Sequence, residues 1–512
     1  MSGTLWLTLV IAAGASFAPD RLAAPRGAVR RAASAWTLHA LAVICIASLF
    51  LLVTARPVFS ACGAIALVAL VAVVSNAKYE SLREPFVFTD LSLFSQLFSH
   101  PRLYLPFLSA GKVVAIGIGV LAVVSGFLAE PPLTPRPWVA ALLAGIATFL
   151  ASCALARRLP LTLDPAGDVE RHGFFTVFVA YLLNGLRPAT FDGLKDAAAT
   201  SPFALDGATG QYPDVIVIQS ESFFDARRIT PAVNSALFTH FDCACNESVQ
   251  YGALSVPAWG ANTMRTEFSL LTGLASQKLG YARFYPYAFV RRACASIASW
   301  FRRSGYETLA LHPYYADFFG RDHALPLMGF DKFLDVEFFA DALRAGPYVS
   351  DAAVTDAIIS ILDAGTAKPQ FLFAMTMENH GPLHLERVEA GEAANYHTLG
   401  EDPAWRDLTA YLRHVANADA MIGRLLAYLR ARRRDTVLCF YGDHVPALPH
   451  IFDRLGNVPS QSHYFIWRNF GDRSAAKQDL SVENLGAAVL QAMEASKVRD
   501  VSTGMSERTE KI

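Results

Sequence analysis

The chain has 512 residues, of which 53% are apolar and 17% charged, with a formal net charge of -1. That is too apolar for one soluble domain of average makeup, and a near-neutral balance without a basic run argues against nucleic acid as a partner. Seven cysteines are too few to act as a disulfide framework in a chain of this size.

The apolar excess sits at the front. Trp36 to Ala55, Val58 to Ala77, Val113 to Ala129 and Trp138 to Ala156 contain no Asp, Glu, Lys or Arg, and each is nearly long enough to cross a hydrocarbon core of about 30 Å. Leu5 to Ala18 is shorter but lacks the basic start and cleavage pattern of a removable signal peptide, so it reads as a retained helix. Residues 1–158 are thus expected to form a transmembrane helical domain of about five spans. Lys78 to Phe107 mixes aromatics, Pro and charge and is expected to lie along the bilayer surface. Residues 159–212 turn polar and interfacial, ending in "SPFALDGATGQYP", and read as a linker. Within it, Phe174 to Leu186 is short for a span and is expected to be an interfacial helix. Positive-inside counting puts Arg21, Arg26, Arg30 and Arg31 in the cytoplasm. Five spans would then leave the C-terminal part inside as well.

From residue 213 the pattern changes. "DVIVIQ", "ETLALH", "QFLFAMTM" and "DTVLCFYG" have the length and makeup of buried strands, while "RRACASIASWFRRSG", "SDAAVTDAIISILDAG" and the stretch from Ala404 to Arg433 repeat apolar residues at helical spacing. Residues 213–496 are therefore predicted to be an α/β domain with a mostly parallel central sheet covered on both faces. Residues 497–512 are polar and expected to be disordered. Cys243 or Cys245 would be able to bridge Cys294 if this domain lies outside the membrane, with a Cys-x-Cys metal site as the alternative.

In open α/β sheets, ligands bind beyond the carboxyl ends of the strands. The predicted strands run into Ser220-Glu221, His312, Glu378-Asn379-His380 and Asp443-His444. A polar turn accounts for any one of these; the coincidence at every strand end favours a metal site of Glu221, Asp443 and His444. Two hard oxygens and one imidazole suit Mn²⁺ or Mg²⁺ better than a thiolate-seeking ion. In "GANTMRTEFSLLTG", Thr263 stands where a helix would begin. It is placed either to cap that helix or to act as a nucleophile on an anion gathered by the helix N-terminus, and the roles can coexist.

"VIVIQSESF", "GANTMRTEFSLLTGL", "LHPYYADFFGRDHALPLMGFDKFLD", "TMENHGP" and "FYGDHVP", in this order after the apolar segments, resemble the lipoteichoic acid synthase family of phosphoglycerol transferases, within the alkaline phosphatase and sulfatase superfamily. The resemblance implies that Glu221, Thr263, Asp443 and His444 hold one Mn²⁺, that Thr263 is the nucleophile, and that His380 and Arg321 contact the substrate phosphate or head group. Phe319 stands where glycerol-phosphate polymerising members carry Trp, and Tyr314 near an Asp of theirs. Set against plainer roles, His380 would be a turn residue, Arg321 would pair with Asp322 or Asp331, His312 is balanced between substrate contact and structure, Phe319 would be a rim aromatic, and His463 is structural.

The expected function is transfer of a phosphoglycerol, or related phospho-alcohol, from a phospholipid such as phosphatidylglycerol to a glycan or other hydroxyl acceptor through a phosphothreonine. His380 would carry the proton. The resemblance also implies a bacterial inner membrane protein with its catalytic domain periplasmic or extracellular, against the charge count above. Phosphoethanolamine transfer and a non-catalytic lipid-head-group sensor are the alternatives. A sulfatase activity is disfavoured because no C/S-x-P-x-R motif is present.

Overall fold

The computed structural model describes residues 2–92, 110–205, 212–472 and 474–494. The tail from 495 onward, and with it the expected disordered segment, lies outside the described residues, as do 93–107 of the expected surface loop and 206–211 of the linker. The chain forms two compact units, Met1–Thr190 and Phe191–Ile512.

The first unit is helical: α1 (Ser2–Ala15), α2 (Ala33–Thr54), α3 (Pro57–Leu82), α4 (Ala110–Ala129), α5 (Trp138–Ala156), α6 (Pro165–His172) and α7 (Phe174–Gly185). Among the described residues, α2, α3 and α5 are long and apolar enough to cross a membrane, accompanied by the shorter apolar stretches Trp6–Asp20 and Val113–Ala129. These helices mark a membrane protein. The pairing of α2 with α5 follows from small residues: α5 buries Ala141, Gly145, Ser152 and Ala156, and Cys45 Sγ of α2 reaches the Gly145 carbonyl at 3.6 Å. Such a seam lets two backbones approach closely where no hydrophobic effect drives them together. Leu142, Leu143, Ile146 and Leu150 are exposed, as lipid-facing residues are.

Two features of this unit bear on the expectations above. The segment expected at the interface, α7, is buried from Phe174 through Tyr181 and packs against α2, α3, α5 and α6. Its apolar character all round is that of an enclosed helix. Arg31, counted as a free loop charge, is buried in an ion pair with Asp20 at 2.6 Å, and Asp20 also accepts the backbone N–H of Phe175.

The second unit is built on a sheet of nine strands among the described residues. They are β1 (Asp214–Ser220), β2 (Gln250–Ser255), β3 (Glu307–Leu311), β4 (Lys332–Leu334), β5 (Gln370–Met375), β6 (Thr436–Gly442), β7 (Gln461–Arg468), β8 (Ala476–Lys477) and β9 (Leu480–Ser481). The order is β8-β2-β7-β6-β1-β5-β3-β4, with β9 also on β2. From β6 to β4 neighbours run parallel, whereas β7 is antiparallel to both β6 and β2. The expected mostly parallel sheet is thus present, with one reversed strand that the sequence reading did not assign.

Strands β1, β5 and β6 are buried along their whole length, so their side chains feed two cores by alternation. Ile216, Ile218, Leu372, Ala374, Leu438 and Phe440 point into a core shared with Leu408, Tyr411, Leu412, Val415, Ile422, Leu425, Leu426 and Leu429 of the long helix Arg406–Ala431. On the other face, Phe371 stacks on Phe301 at 4.4 Å between ring centres. Covered on both faces, the sheet leaves its strand ends as the place where polar groups gather.

Candidate active site

Register delivers the first residues. Gln219 of β1 lies opposite Tyr441 of β6, and Ser220 opposite Gly442, so Glu221 emerges beside Asp443 and His444. The two exits are tight: a Cβ at Gly442 would sit 1.7 Å from the carbonyl oxygen of Phe223, so only glycine fits.

His444 Nε2 is 3.3 Å from Asp443 Oδ2, 3.7 Å from Glu221 Oε1 and 3.4 Å from Thr263 Oγ1. Its Nδ1 lies 2.9 Å from the Val445 carbonyl. A carbonyl only accepts, so Nδ1 carries the proton and Nε2 turns a lone pair towards the oxygens. Asp443 Oδ1 accepts N–H bonds from Ser222 and His444, each at 2.8 Å, while Oδ2 is buried with no hydrogen-bond partner among the described residues. Burial first, and then the charge of Asp443, push the Glu221 carboxyl well above its ordinary range. Lone pairs and carboxylates facing one another in a dry site are relieved either by a proton on one carboxyl or by a cation between them. Donor atoms of Glu221, Asp443 and His444 all lie within 4.8 Å of one another, a grouping able to hold a metal ion. The residues fit a divalent cation.

Thr263 is the first residue of helix α8 (Thr263–Thr272), and Asn262 before it makes no side-chain capping bond. The hydroxyl is therefore not the helix cap; it faces His444. Among the described residues of this unit, the non-glycine residues with positive φ are Ser222 (55°), Asn262 (67°) and Phe319 (61°). Each is, or adjoins, a candidate site residue, which is where backbone strain tends to be retained.

Arg321 pairs with neither Asp322 nor Asp331. It is fully buried and forks onto Glu267, Nε to Oε1 at 3.0 Å and Nη2 to Oε2 at 2.8 Å. Its Nη1 has no hydrogen-bond partner among the described residues. Phe318 and Phe319 lie under the guanidinium, 5.9 and 5.2 Å from ring centre to Cζ. His312 is buried, with neither ring nitrogen hydrogen-bonded among the described residues, and burial, then the charges of Arg321 and His380, hold its pKa well below the ordinary value. His380 bonds through Nδ1 to the Gly381 carbonyl at 2.8 Å; burial lowers its pKa, against a raising influence of Asp443. Glu378, two residues before His380, is turned away to accept from His414, Asn417 and the Asp351 N–H.

Several residues escaped the sequence reading. Ser222 donates to Glu221 Oε1 at 2.8 Å, and Glu267, which pairs with Arg321, accepts also from Gln219 and Tyr287. Glu267 alone left a signal, since it follows Thr263 by four residues and so shares its helix face. His463 is structural as read: it accepts the Asp225 N–H and meets Arg228. All seven cysteines are free, so no bridge joins Cys243 or Cys245 to Cys294. Neither Cys243 nor Cys245 belongs to a metal-type cluster among the described residues.

Residues 213–495 match the family model described as Sulfatase. The chain belongs to the sulfatase family. This sulfatase-family chain is 29% identical, over 81% of its length and 78% of the relative's, to the capsular polysaccharide biosynthesis protein RkpI of Rhizobium meliloti. Among solved structures it is similar to the phosphoglycerol transferase GacH of Streptococcus pyogenes, with a TM-score of 0.46 and 22% identity over 59% of this chain and 79% of that one. It is also similar to the lipoteichoic acid synthase LtaP of Listeria monocytogenes, with a TM-score of 0.42 and 20% identity over 57% and 75%. The sulfatase-family domain has the α/β architecture with a mostly parallel sheet that its strand and helix pattern predicted.

Proposed function

We propose that this protein is a membrane-anchored, metal-dependent transferase that moves a phosphoglycerol or related phospho-alcohol from a phospholipid to a hydroxyl acceptor, most plausibly on a glycan. The observation that carries the reading is the Thr263 hydroxyl, 3.4 Å from His444 Nε2 and beside two carboxylates that hold no opposite charge of their own. Glu221, Thr263, Asp443 and His444 would hold one divalent ion, Mn²⁺ or Mg²⁺ by donor type. Such an ion lowers the pKa of a hydroxyl it holds and offsets charge on phosphoryl oxygens.

Thr263 Oγ gives up its proton and attacks phosphorus; the bond from phosphorus to the diacylglycerol oxygen breaks, and that oxygen takes a proton. An acceptor hydroxyl then attacks the same phosphorus, the bond to Thr263 breaks, and the threonine is regenerated. His380, with Nδ1 committed to Gly381, offers Nε2 as the proton carrier. Arg321 donates from Nη1 to a non-bridging oxygen. His312 and Phe319 line the head-group side. Tethering to the bilayer confines the domain to the surface where the lipid donor lies, with the domain on the periplasmic or extracellular side.

The test is mass spectrometry of the purified chain after incubation with Mn²⁺ and phosphatidylglycerol. A glycerophosphate adduct on Thr263 supports the reading; a phosphoethanolamine adduct from a mixed-lipid incubation would move it to the alternative head group. Ligand binding and cellular function that survive Thr263→Ala would indicate a sensor instead. Labelling of a cysteine engineered into the α/β domain reads its side of the membrane, and a cytoplasmic result overturns the assignment.

A further inference from the structure

Arg321 and Glu267 are both completely buried, and the acid is held from three sides. Besides the guanidinium fork, Tyr287 donates to Oε1 at 2.6 Å and Gln219 Nε2 to Oε2 at 3.2 Å. Tyr441 in turn donates to the Gln219 carbonyl. The chain of bonds therefore runs from β6 through β1 to α8 and ends on the guanidinium. On that group, the Nε–Nη2 edge is used and Nη1 is not. A purely structural buried pair would have both edges engaged, because an unpaired buried donor costs stability. One of the bonds that hold Glu267 comes from Gln219, which Tyr441 supports in turn; these paired residues stand two places before Glu221 and Asp443 on adjacent strands, so the group with the unused edge lies at the strand ends that carry the site.

We infer that Glu267 is a positioning residue: it locks one edge of Arg321 to the helix that carries Thr263, so that the other edge is presented to a non-bridging oxygen of the phospho group. The inference rests on the phosphotransfer reading above and adds to it the residue that sets the clamp. Four residues separate Thr263 from Glu267, about one helical turn, so nucleophile and clamp are referenced to the same rigid element. The ion pair is neutral overall, and the clamp works by direction more than by net charge. A lysine at position 321 has no fork with which to engage both Glu267 oxygens and the substrate in this geometry.

The experiment measures binding of glycerol phosphate by calorimetry, and initial rates with phosphatidylglycerol, on the full chain in lipid nanodiscs. Glu267→Gln is expected to weaken binding and raise KM by roughly tenfold with kcat changed about threefold or less, because the phosphodiester charge is present before the reaction as well as during it. Arg321→Met and Arg321→Lys should both lose at least as much, and Glu267→Gln combined with Arg321→Met should be no worse than Arg321→Met alone. Independent, multiplying losses, or an unchanged KM and affinity in Glu267→Gln, overturn the inference. If Glu267→Gln does not fold, Tyr287→Phe carries the test: it removes one bond to Oε1 and should raise KM by roughly threefold, and no change in either KM or affinity counts against the proposal. Thr263→Ala separates the two readings, since it should lose the covalent adduct while keeping glycerol phosphate affinity. Absence of the adduct in the wild type strikes the transfer chemistry, whereas the calorimetric comparison still decides the role of Glu267.

Discussion

Two buried carboxylate–histidine clusters lie at the ends of neighbouring strands, and they use their polar atoms differently. Beyond β5, His414 bonds through Nδ1 to Glu378 at 2.9 Å and through Nε2 to Glu386 at 2.8 Å, while Glu378 also accepts from Asn417 and from the Asp351 N–H. Beyond β1 and β6, Asp443 keeps an unpartnered oxygen, Glu221 faces a like charge, and the His444 lone pair points at oxygens. Nearly the same residue types make a support whose histidine is bonded through both nitrogens in one place, with Asp351 Oδ1 left unpartnered among the described residues, and a more receptive site in the other. Satisfaction of hydrogen bonds, more than residue identity, separates structure from function here.

The sharpest way to break this comparison is to remove the hydroxyl proposed as the nucleophile. Thr263→Ala is expected to lower transfer of a labelled lipid head group by about a thousandfold or more, with an unchanged melting temperature. Chelation of divalent ions should do the same, reversed by Mn²⁺. A chelated enzyme of full activity would dissolve the metal assignment.

Stability should move in opposite senses at the two clusters. His414→Ala breaks a buried, charge-assisted network and is expected to cost about 3–5 kcal/mol. Glu221→Gln, by contrast, removes a like-charge neighbour and should leave the chelated protein as stable, or more stable by about 1 kcal/mol. Thermal melting of both variants in chelator checks the pair; equal losses would show that the two clusters are alike.

The support cluster also has a pH signature. Although burial opposes it, bonding to Glu378 and Glu386 raises the His414 pKa from 6.5 to about 9. A raised folded-state value means that the contribution is fully present below about pH 6.5 and is lost as pH rises through about 9. That contribution amounts to about 3 kcal/mol. The stability gap between wild type and His414→Gln should therefore narrow across that window, read as melting temperature against pH. The smallest effect is expected beneath the guanidinium: Phe319→Trp, at a buried ring, should change KM for phosphatidylglycerol by less than about fivefold, since both rings can underlie the guanidinium.

Much of the receptive cluster was legible in the sequence because it follows from local order: a short apolar run, then an ionisable pair, repeated on strands that turn out to be parallel neighbours. Thr263 was legible through its place ahead of a helical run, and it lies 3.4 Å from His444. What stayed hidden depends on pairing across the chain. Glu267 and Arg321 are 54 residues apart, and no spacing rule links them. Strand β7 carries His463 and Arg468 inside a run that is nearly all buried, so it offered no alternation to read. Strand β2 contains Gly252, where a Cβ would meet the Gln478 carbonyl at 2.2 Å; the close backbone approach that demands glycine also weakens the strand pattern. Helix α7 looked interfacial because it is short, and only its neighbours reveal that it is enclosed.

The single turn of α8 between Thr263 and Glu267 also bears on how the protein tolerates thermal breathing. Any slide or tilt of that helix carries both side chains along one vector, and Arg321 follows through its fork. A shift of that helix is therefore shared by hydroxyl and guanidinium, and the spacing between them depends on the fork more than on where the helix sits.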